Sequence, residues 1–247
     1  MDERQRKVPP QSDPFWRIAR ARIKHAIFSR ASFLSQAGQD LWVFGEAFNE
    51  MVGGFFVDVG AHDGVTFSNT YLLEHRYRWR GICIEANPKS FAILAANRNV
   101  ACLNICLDAQ EGYVEFVTKG PTSGIVAPDT DNKQAMAHEQ ITMKAATLRS
   151  VLERQNAPEV IDYLSIDVEG AEERILGSFP FDKYTFNCVT VERPSKVLRS
   201  LLASQRFLLI KEIPGLDCFY VHARFLAEYR KNLFAFYSKR RYWLRWR

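Results

Sequence analysis

The densest chemical signal in this 247-residue chain is Asp58-Val59-Gly60-Ala61-His62-Asp63-Gly64. It continues Gly54-Phe55-Phe56-Val57, a run of strand character, so a carboxylate stands at the strand end with two glycines in the turn beyond. Glycine there permits a tight turn and lets a ligand lie against the main chain. The next apolar run, Gly81-Ile82-Cys83-Ile84, ends at Glu85, which can accept hydrogen bonds from both hydroxyls of a ribose. The spacing Asp-x-Gly-x-x-x-Gly differs from the G-x-G-x-x-G of dinucleotide sites, where a pyrophosphate approaches a helix N-terminus. Asp58 would repel pyrophosphate but can accept a hydrogen bond from a cationic amino-acid group. A ligand with an ammonium, a sulfonium and no phosphate, S-adenosylmethionine, suits this charge arrangement better than NAD. An NAD-dependent oxidoreductase and a glycine turn without a ligand are the competing readings.

A second group of candidates is acidic. Asp167 and Glu169 end a further apolar strand, Ile161-Asp162-Tyr163-Leu164-Ser165-Ile166, and His62 and Glu192 each follow another. A hydroxyl that reacts with a bound electrophile must lose its proton, so a carboxylate or imidazole within reach would be the base. Asp167 and Glu169 come first, His62 and Glu192 next. Each has a plainer role available: Asp167 can orient a ligand ammonium, Glu169 can cap the helix that follows, and His62 can shape the glycine loop. Asp167-x-Glu169 without further partners is a weak cation site, and no metal is expected.

The elements that must position these residues alternate. Helices are expected over Gln39 to about Met51, Ser68–His75, Lys89–Asn97 with Asn87 as cap and Pro88 in the first turn, Leu148–Gln155, Ala171–Leu176 and Ser195–Ser204. Besides the three strands above, Ala101–Leu107, Tyr113–Val117, Asn187–Glu192, Phe207–Ile213 and Cys218–His222 read as strands, the last two joined through Pro214-Gly215 as a hairpin. Residues 119–140 read as a mobile insert. Repeated β-α units imply an α/β, doubly wound, Rossmann-like fold, with a mostly parallel seven-stranded sheet and a closing antiparallel hairpin, as in class I methyltransferases.

Charge divides the chain. Residues 1–30 carry eight Lys/Arg against three Asp/Glu, residues 224–247 eight against one, and the region between is net acidic. This gives a basic N-terminal segment (1–30), a methyltransferase-like domain (31–222) and a basic aromatic C-terminal helix (223–247). Phe15, Ile18, Ala19, Ile23, Ala26 and Ile27 share one helical face, as do Leu226, Tyr229, Leu233, Phe236 and Tyr237. Two readings stand: residues 14–30 and 223–247 lie on an anionic membrane surface, or they dock on their own domain or build a homodimer. Nucleic acid is not an expected partner, since the central domain has no basic signature. There is no apolar run of signal-peptide or membrane-spanning type, so the expected location is cytoplasmic, with a peripheral position at a membrane as its extension. The five cysteines show no C-x-x-C spacing and read as packed thiols.

Four stretches resemble the FkbM family of S-adenosylmethionine-dependent methyltransferases: Ser35-Gln36-Ala37-Gly38-Gln39-Asp40, residues 54–64, Gly81-Ile82-Cys83-Ile84-Glu85-Ala86-Asn87-Pro88, and Leu164-Ser165-Ile166-Asp167-Val168-Glu169-Gly170-Ala171-Glu172. The resemblance implies O-methylation of a hydroxyl on a sugar, glycolipid or polyketide-type small-molecule acceptor. It places Asp58, Gly60 and Gly64, with Ala61 and His62, at the methionine end of the donor. Glu85, with Ala86, would hold the ribose, Asp108 would lie at the adenine, and Asp167 would line the site. A non-catalytic module of the same fold, binding a membrane or a protein partner, is the alternative function.

Overall fold

A computed structural model describes residues 34–133 and 139–244. The helix expected over residues 15–27 lies outside them. Among the described residues, eleven strands form two sheets. The main sheet contains β1 (Phe55–Val59), β2 (Arg80–Ile84), β3 (Ala101–Leu103), β8 (Val160–Ile166), β9 (Thr185–Glu192), β10 (Phe207–Glu212) and β11 (Asp217–His222). Its order is β10-β11-β9-β8-β1-β2-β3. All neighbours from β9 to β3 pair in parallel, and β11 runs antiparallel to both β9 and β10. The order reverses between β1 and β8, and in an open α/β sheet the crevice beyond such a switch point is where ligands bind.

The sequence pattern explains one face of this sheet. Val57, Val59, Ile82, Ile84, Leu164, Ile166, Val189 and Val191 alternate into the largest hydrophobic cluster. Helices α3 (Pro88–Asn97), α4 (Leu148–Arg154), α5 (Glu172–Gly177) and α6 (Lys196–Ser204) connect the strands, and Asn87, Thr147 and Ser195 cap three of them through their side chains. Helix α2 (Tyr71–Tyr77) follows the glycine turn.

Two expectations are corrected. The strand expected over Ala101–Leu107 is two: β3 stays in the main sheet, whereas β4 (Cys106–Leu107) joins a second sheet, β4-β7-β5-β6, with β5 (Gly112–Thr118), β6 (Gly124–Ile125) and β7 (Glu139–Ala146). Between them Asn104 turns its amide onto the carbonyls of Glu85 and Ala86, at 2.8 and 2.9 Å, and takes the place of a ladder bond. The insert, in its described part, is built structure rather than a loose loop. It holds a 3-10 turn at Gly120–Thr122, strand β6, and the buried Thr130 and Asn132. Thr130 donates to the Ile125 carbonyl and Asn132 accepts from Lys119, both at 2.7 Å.

The other face of the main sheet carries two helical segments from either end of the described residues. Helix α1 (Gln39–Leu41) continues as a π-helix over Trp42–Ala47, and α7 (Leu226–Leu244) lies against it. Gly45 leaves the space that the Phe236 ring fills; a β-carbon there would fall inside the ring. Tyr229 receives a hydrogen bond from the Trp42 indole at 3.3 Å, and Asn232 donates to the Ala47 carbonyl at 2.8 Å. Thus, over its described side chains, the C-terminal helix docks on its own domain, with Tyr229 and Phe236 buried and Phe234 left exposed. Among the described residues no helix is long and apolar enough to cross a membrane.

Candidate active site

A cavity of about 440 Å³ opens at the β1/β8 switch point. It is lined by Asp58, Gly60, Ala61, His62, Glu85, Ala86, Asp167, Glu169 and Glu192, so nearly all the residues singled out from sequence converge there. Gly64 and Asp108 do not line it. Gly64 packs against Leu94 and Arg98. Asp108 is held by the Arg174 guanidinium at 2.8 and 2.9 Å, which in turn binds Asp129. The cavity is lined there instead by Ile105, Cys106 and Leu107 from the β3–β4 segment, with Phe116 and Ile125 of the second sheet.

At the centre, Asp58 is buried with Thr70 donating to it at 2.6 Å. Burial pushes its carboxyl up, opposed by the nearby Arg98 charge and by hydrogen bonds from Thr70 and Ser165. Arg98 is itself buried, donating to Thr70 at 2.9 Å and to the Gly64 carbonyl at 3.2 Å, and ion-paired to Glu74. Asn69 donates to Ser165 at 2.9 Å, but its Oδ1 is buried and has no partner. A buried amide oxygen without a donor is costly, and Asn69 and Asp58 both belong to the lining of the cavity.

Glu85 accepts from the backbone N–H groups of His62 and Asn87 at 2.8 and 2.7 Å. Burial outweighs these bonds and lifts its carboxyl to about 7. His62 therefore serves the glycine loop through its main chain and stands at the Glu85 end of the cavity.

At the opposite wall Asp167, Glu169 and Glu192 place carboxylate oxygens within 4.8 Å of one another, close enough to share a proton or to hold a divalent cation. Burial and then the Glu192 charge push Asp167 up to about 9. Arg193 binds Glu192 at 2.9 Å, Glu169 at 3.1 Å and Asp131 of the insert at 2.8 Å. Four non-glycine residues around this cavity have left-handed backbone: His62, Phe67, Glu169 and Arg193. Such strain costs of order 1–3 kcal/mol each and collects at functional sites.

Sequence reasoning missed Asn69, Thr70, Ser165 and Arg98 around Asp58, and Arg193 at the acid cluster. Arg193 adjoins a candidate and could have been weighed as its counter-charge. Arg98 lies 40 residues from Asp58 in the chain and carries no local signal.

A seven-stranded sheet of this order with one reversed strand, a glycine turn after β1 and an acid after β2 define a class I methyltransferase. Residues 58–202 match the Methyltransferase FkbM domain, which is more than half of the chain. The protein belongs to the FkbM methyltransferase family. Among solved structures, the FkbM methyltransferase of Methylobacillus flagellatus KT is similar at 13% identity over 69% of this chain and 44% of its own, with a TM-score of 0.44. The chain thus spans less than half the length of that relative. A TehB-like SAM-dependent methyltransferase of Corynebacterium glutamicum is similar at 8% identity over 85% of this chain and 100% of its own, TM-score 0.40. A methyltransferase of Pyrococcus furiosus is similar at 14% identity over 83% and 97%, TM-score 0.36. No curated protein matches the chain.

Proposed function

We propose that the protein transfers a methyl group from S-adenosylmethionine to a hydroxyl of a sugar, glycolipid or polyketide-type acceptor. The observation that carries this reading is the pairing, in one cavity, of a buried ammonium receptor with a carboxylate cluster. Asp58 and the free Oδ1 of Asn69 lie on one side, and Asp167, Glu169 and Glu192 on the other. When bound, the donor supplies an electrophilic methyl on a sulfonium. Asp58 and Asn69 hold its ammonium, Glu85 takes the ribose hydroxyls, and the wall from Ile105 to Leu107 borders the adenine.

The acid cluster handles the acceptor proton. Asp167 and Glu192 lie close enough to share a proton, and Arg193 keeps Glu192 and Glu169 anchored. An acceptor hydroxyl within reach of this group loses its proton to the Asp167–Glu192 pair, an assistance worth about 10²–10⁴ in rate. The remainder of the acceleration comes from holding the reactants in line, roughly 7–11 kcal/mol.

The melting temperature with and without S-adenosylmethionine tests the donor assignment. Ligand at about 100 times its Kd adds roughly 2.7 kcal/mol, or about 5–11 °C for a domain of this size. Wild type should show the rise and Asp58→Ala should lose it. No rise in wild type at millimolar donor refutes the reading and favours a binding module.

An acceptor presented at an anionic membrane surface is the reading supported by the basic ends of the chain, residues 14–30 and 223–247, and by Phe234, exposed on α7 a turn from Arg230 and Lys231. Full-length protein should co-sediment with vesicles containing anionic lipid and not with zwitterionic ones. Equal partition into both ends the membrane reading.

A further inference from the structure

The segment Ser35-Gln36-Ala37-Gly38-Gln39-Asp40 is not used by the donor or the proton, yet it is among the most heavily tied in the molecule. Asp40 is fully buried and accepts from the Ser35 hydroxyl and from the backbone N–H of Leu34, at 3.0 Å, and of Leu41, at 2.7 Å. Ser35, so fixed, forms an isolated parallel bridge with Phe67. From the same segment Gln39 reaches across 178 residues to donate to Asp217 at 2.7 Å, where β11 begins. Leu216, just before it, accepts the Arg193 N–H at 2.7 Å. One buried carboxylate and one amide thus brace Phe67, Gln36, Leu216 and Arg193, and all four line the same cavity as Asp58 and Asp167.

Phe67 is anomalous in two ways. Its φ is 56°, a left-handed conformation that a bulky side chain avoids. Its ring is 61% exposed although it lines the cavity. A large apolar ring held out at a cavity mouth by a strained, braced backbone has no packing role that would repay the strain. The same cavity is lined by polar groups: Gln36, exposed and without a hydrogen-bond partner among the described residues, Thr66, Arg193 and the acid cluster. An exposed aromatic face in one cavity with an amide, a guanidinium and carboxylates matches a ligand with an apolar flat side and a hydroxylated edge. A polyketide-type chain would need an extended apolar channel, and the only other aromatic phenyl ring in the lining, that of Phe116, is buried in the core.

We propose that Phe67 and Gln36 form the acceptor subsite and that the acceptor is a sugar ring, free or at the end of a glycan, whose C–H face stacks on Phe67 while its hydroxyl edge meets Gln36 and the acid cluster. The proposal rests on the methyl-transfer reading and narrows its acceptor to one class. The Ser35–Asp40 segment is then the brace of the acceptor half of the site, as Arg98 is of the donor half.

The test uses the full-length protein and a panel of methyl pyranosides (gluco, galacto, manno, rhamno and fuco), with donor binding followed separately by melting temperature. Saturation-transfer NMR on donor-loaded protein should show at least one pyranoside bound, with the ring protons of one face saturated most. Phe67→Leu should weaken that sugar about tenfold, Phe67→Tyr should restore it, and Gln36→Ala should weaken it with the fold and donor response intact. Failure of wild type to respond to donor sinks the underlying reading. A donor response without binding of any pyranoside overturns the sugar assignment. A Phe67→Leu protein that loses the donor response while keeping the sugar moves Phe67 to the donor site. If Phe67→Leu does not fold, Gln36→Ala decides: unchanged sugar binding there also overturns the subsite.

Discussion

A β-carbon on Gly60 would overlap the backbone carbonyl oxygen of Asp167. The end of β1 and the end of β8 therefore touch main chain to main chain, with the Asp167 N–H donating to the Val59 carbonyl at 3.0 Å. This contact sets the distance between Asp58 and the acid cluster. Because the obstructing atom is backbone and the φ of Gly60 is +86°, no rotamer change can relieve a substitution. Gly60→Ala should cost at least about 2 kcal/mol by urea denaturation and should abolish the donor-induced rise in melting temperature. A variant of near wild-type stability would show that the two strand ends are free to separate.

Asp167, lifted to about 9 by burial and by Glu192, is protonated at neutral pH in the free protein. A cationic ligand beside it favours its charged form. Donor affinity measured by calorimetry should rise between pH 6 and 9, by up to about tenfold per unit, with proton release, and Asp167→Asn should flatten the profile. The stability of the free protein carries the opposite sign. The folded state holds a proton that the unfolded chain loses near 3.8, so this contribution is complete below that pH and fades as pH rises towards 9. Relative to Asp167→Asn, wild type should lose stability across that window. Parallel stability curves would place Asp167 in water.

Arg98 and Glu74 form a buried ion pair, and Arg98 also braces Thr70 and the Gly64 turn. Removing one partner of such a pair leaves the other charge stranded, at a cost of about 3–5 kcal/mol. Arg98→Met should show that loss in chemical denaturation, and donor affinity should fall as well because Thr70 is no longer oriented toward Asp58. The double variant Arg98→Met/Glu74→Met should recover part of the stability and none of the affinity. A single variant losing under 1 kcal/mol would contradict the burial of the pair.

Arg193 sits where a divalent cation would neutralise the acid cluster, with its guanidinium on Glu192, Glu169 and Asp131. Methyl transfer to a pyranoside acceptor should therefore be unchanged by EDTA and by added Mg²⁺, and Arg193→Met should slow it by one to two orders of magnitude. Loss of turnover in EDTA, restored by Mg²⁺, would assign the three carboxylates to a metal instead.

What was legible in the sequence was local. Asp58, Gly60 and Glu85 announce themselves because a strand end, a turn and a second strand end are each encoded within a few residues. The sheet follows from apolar alternation, and the caps at Asn87 and Ser195 from side-chain chemistry. Asp167, Glu169 and Glu192 could be singled out for the same reason, since each ends an apolar run.

What the sequence could not decide is set by contacts between distant segments. Whether Asp108 meets a ligand or Arg174 depends on a helix 66 residues away. The role of residues 119–133 depends on hydrogen bonds that Asp131 makes to Glu169 and Arg193, and the seat of α7 on the notch at Gly45. The amino-acid sequence determined the doubly wound sheet and the donor motif, because strand ends and turns obey short-range sterics. Tertiary structure alone determined the buried, unpartnered Oδ1 of Asn69, the Arg193 counter-charge and the braced Phe67, because burial and pairing exist only once remote parts of the chain share the same space.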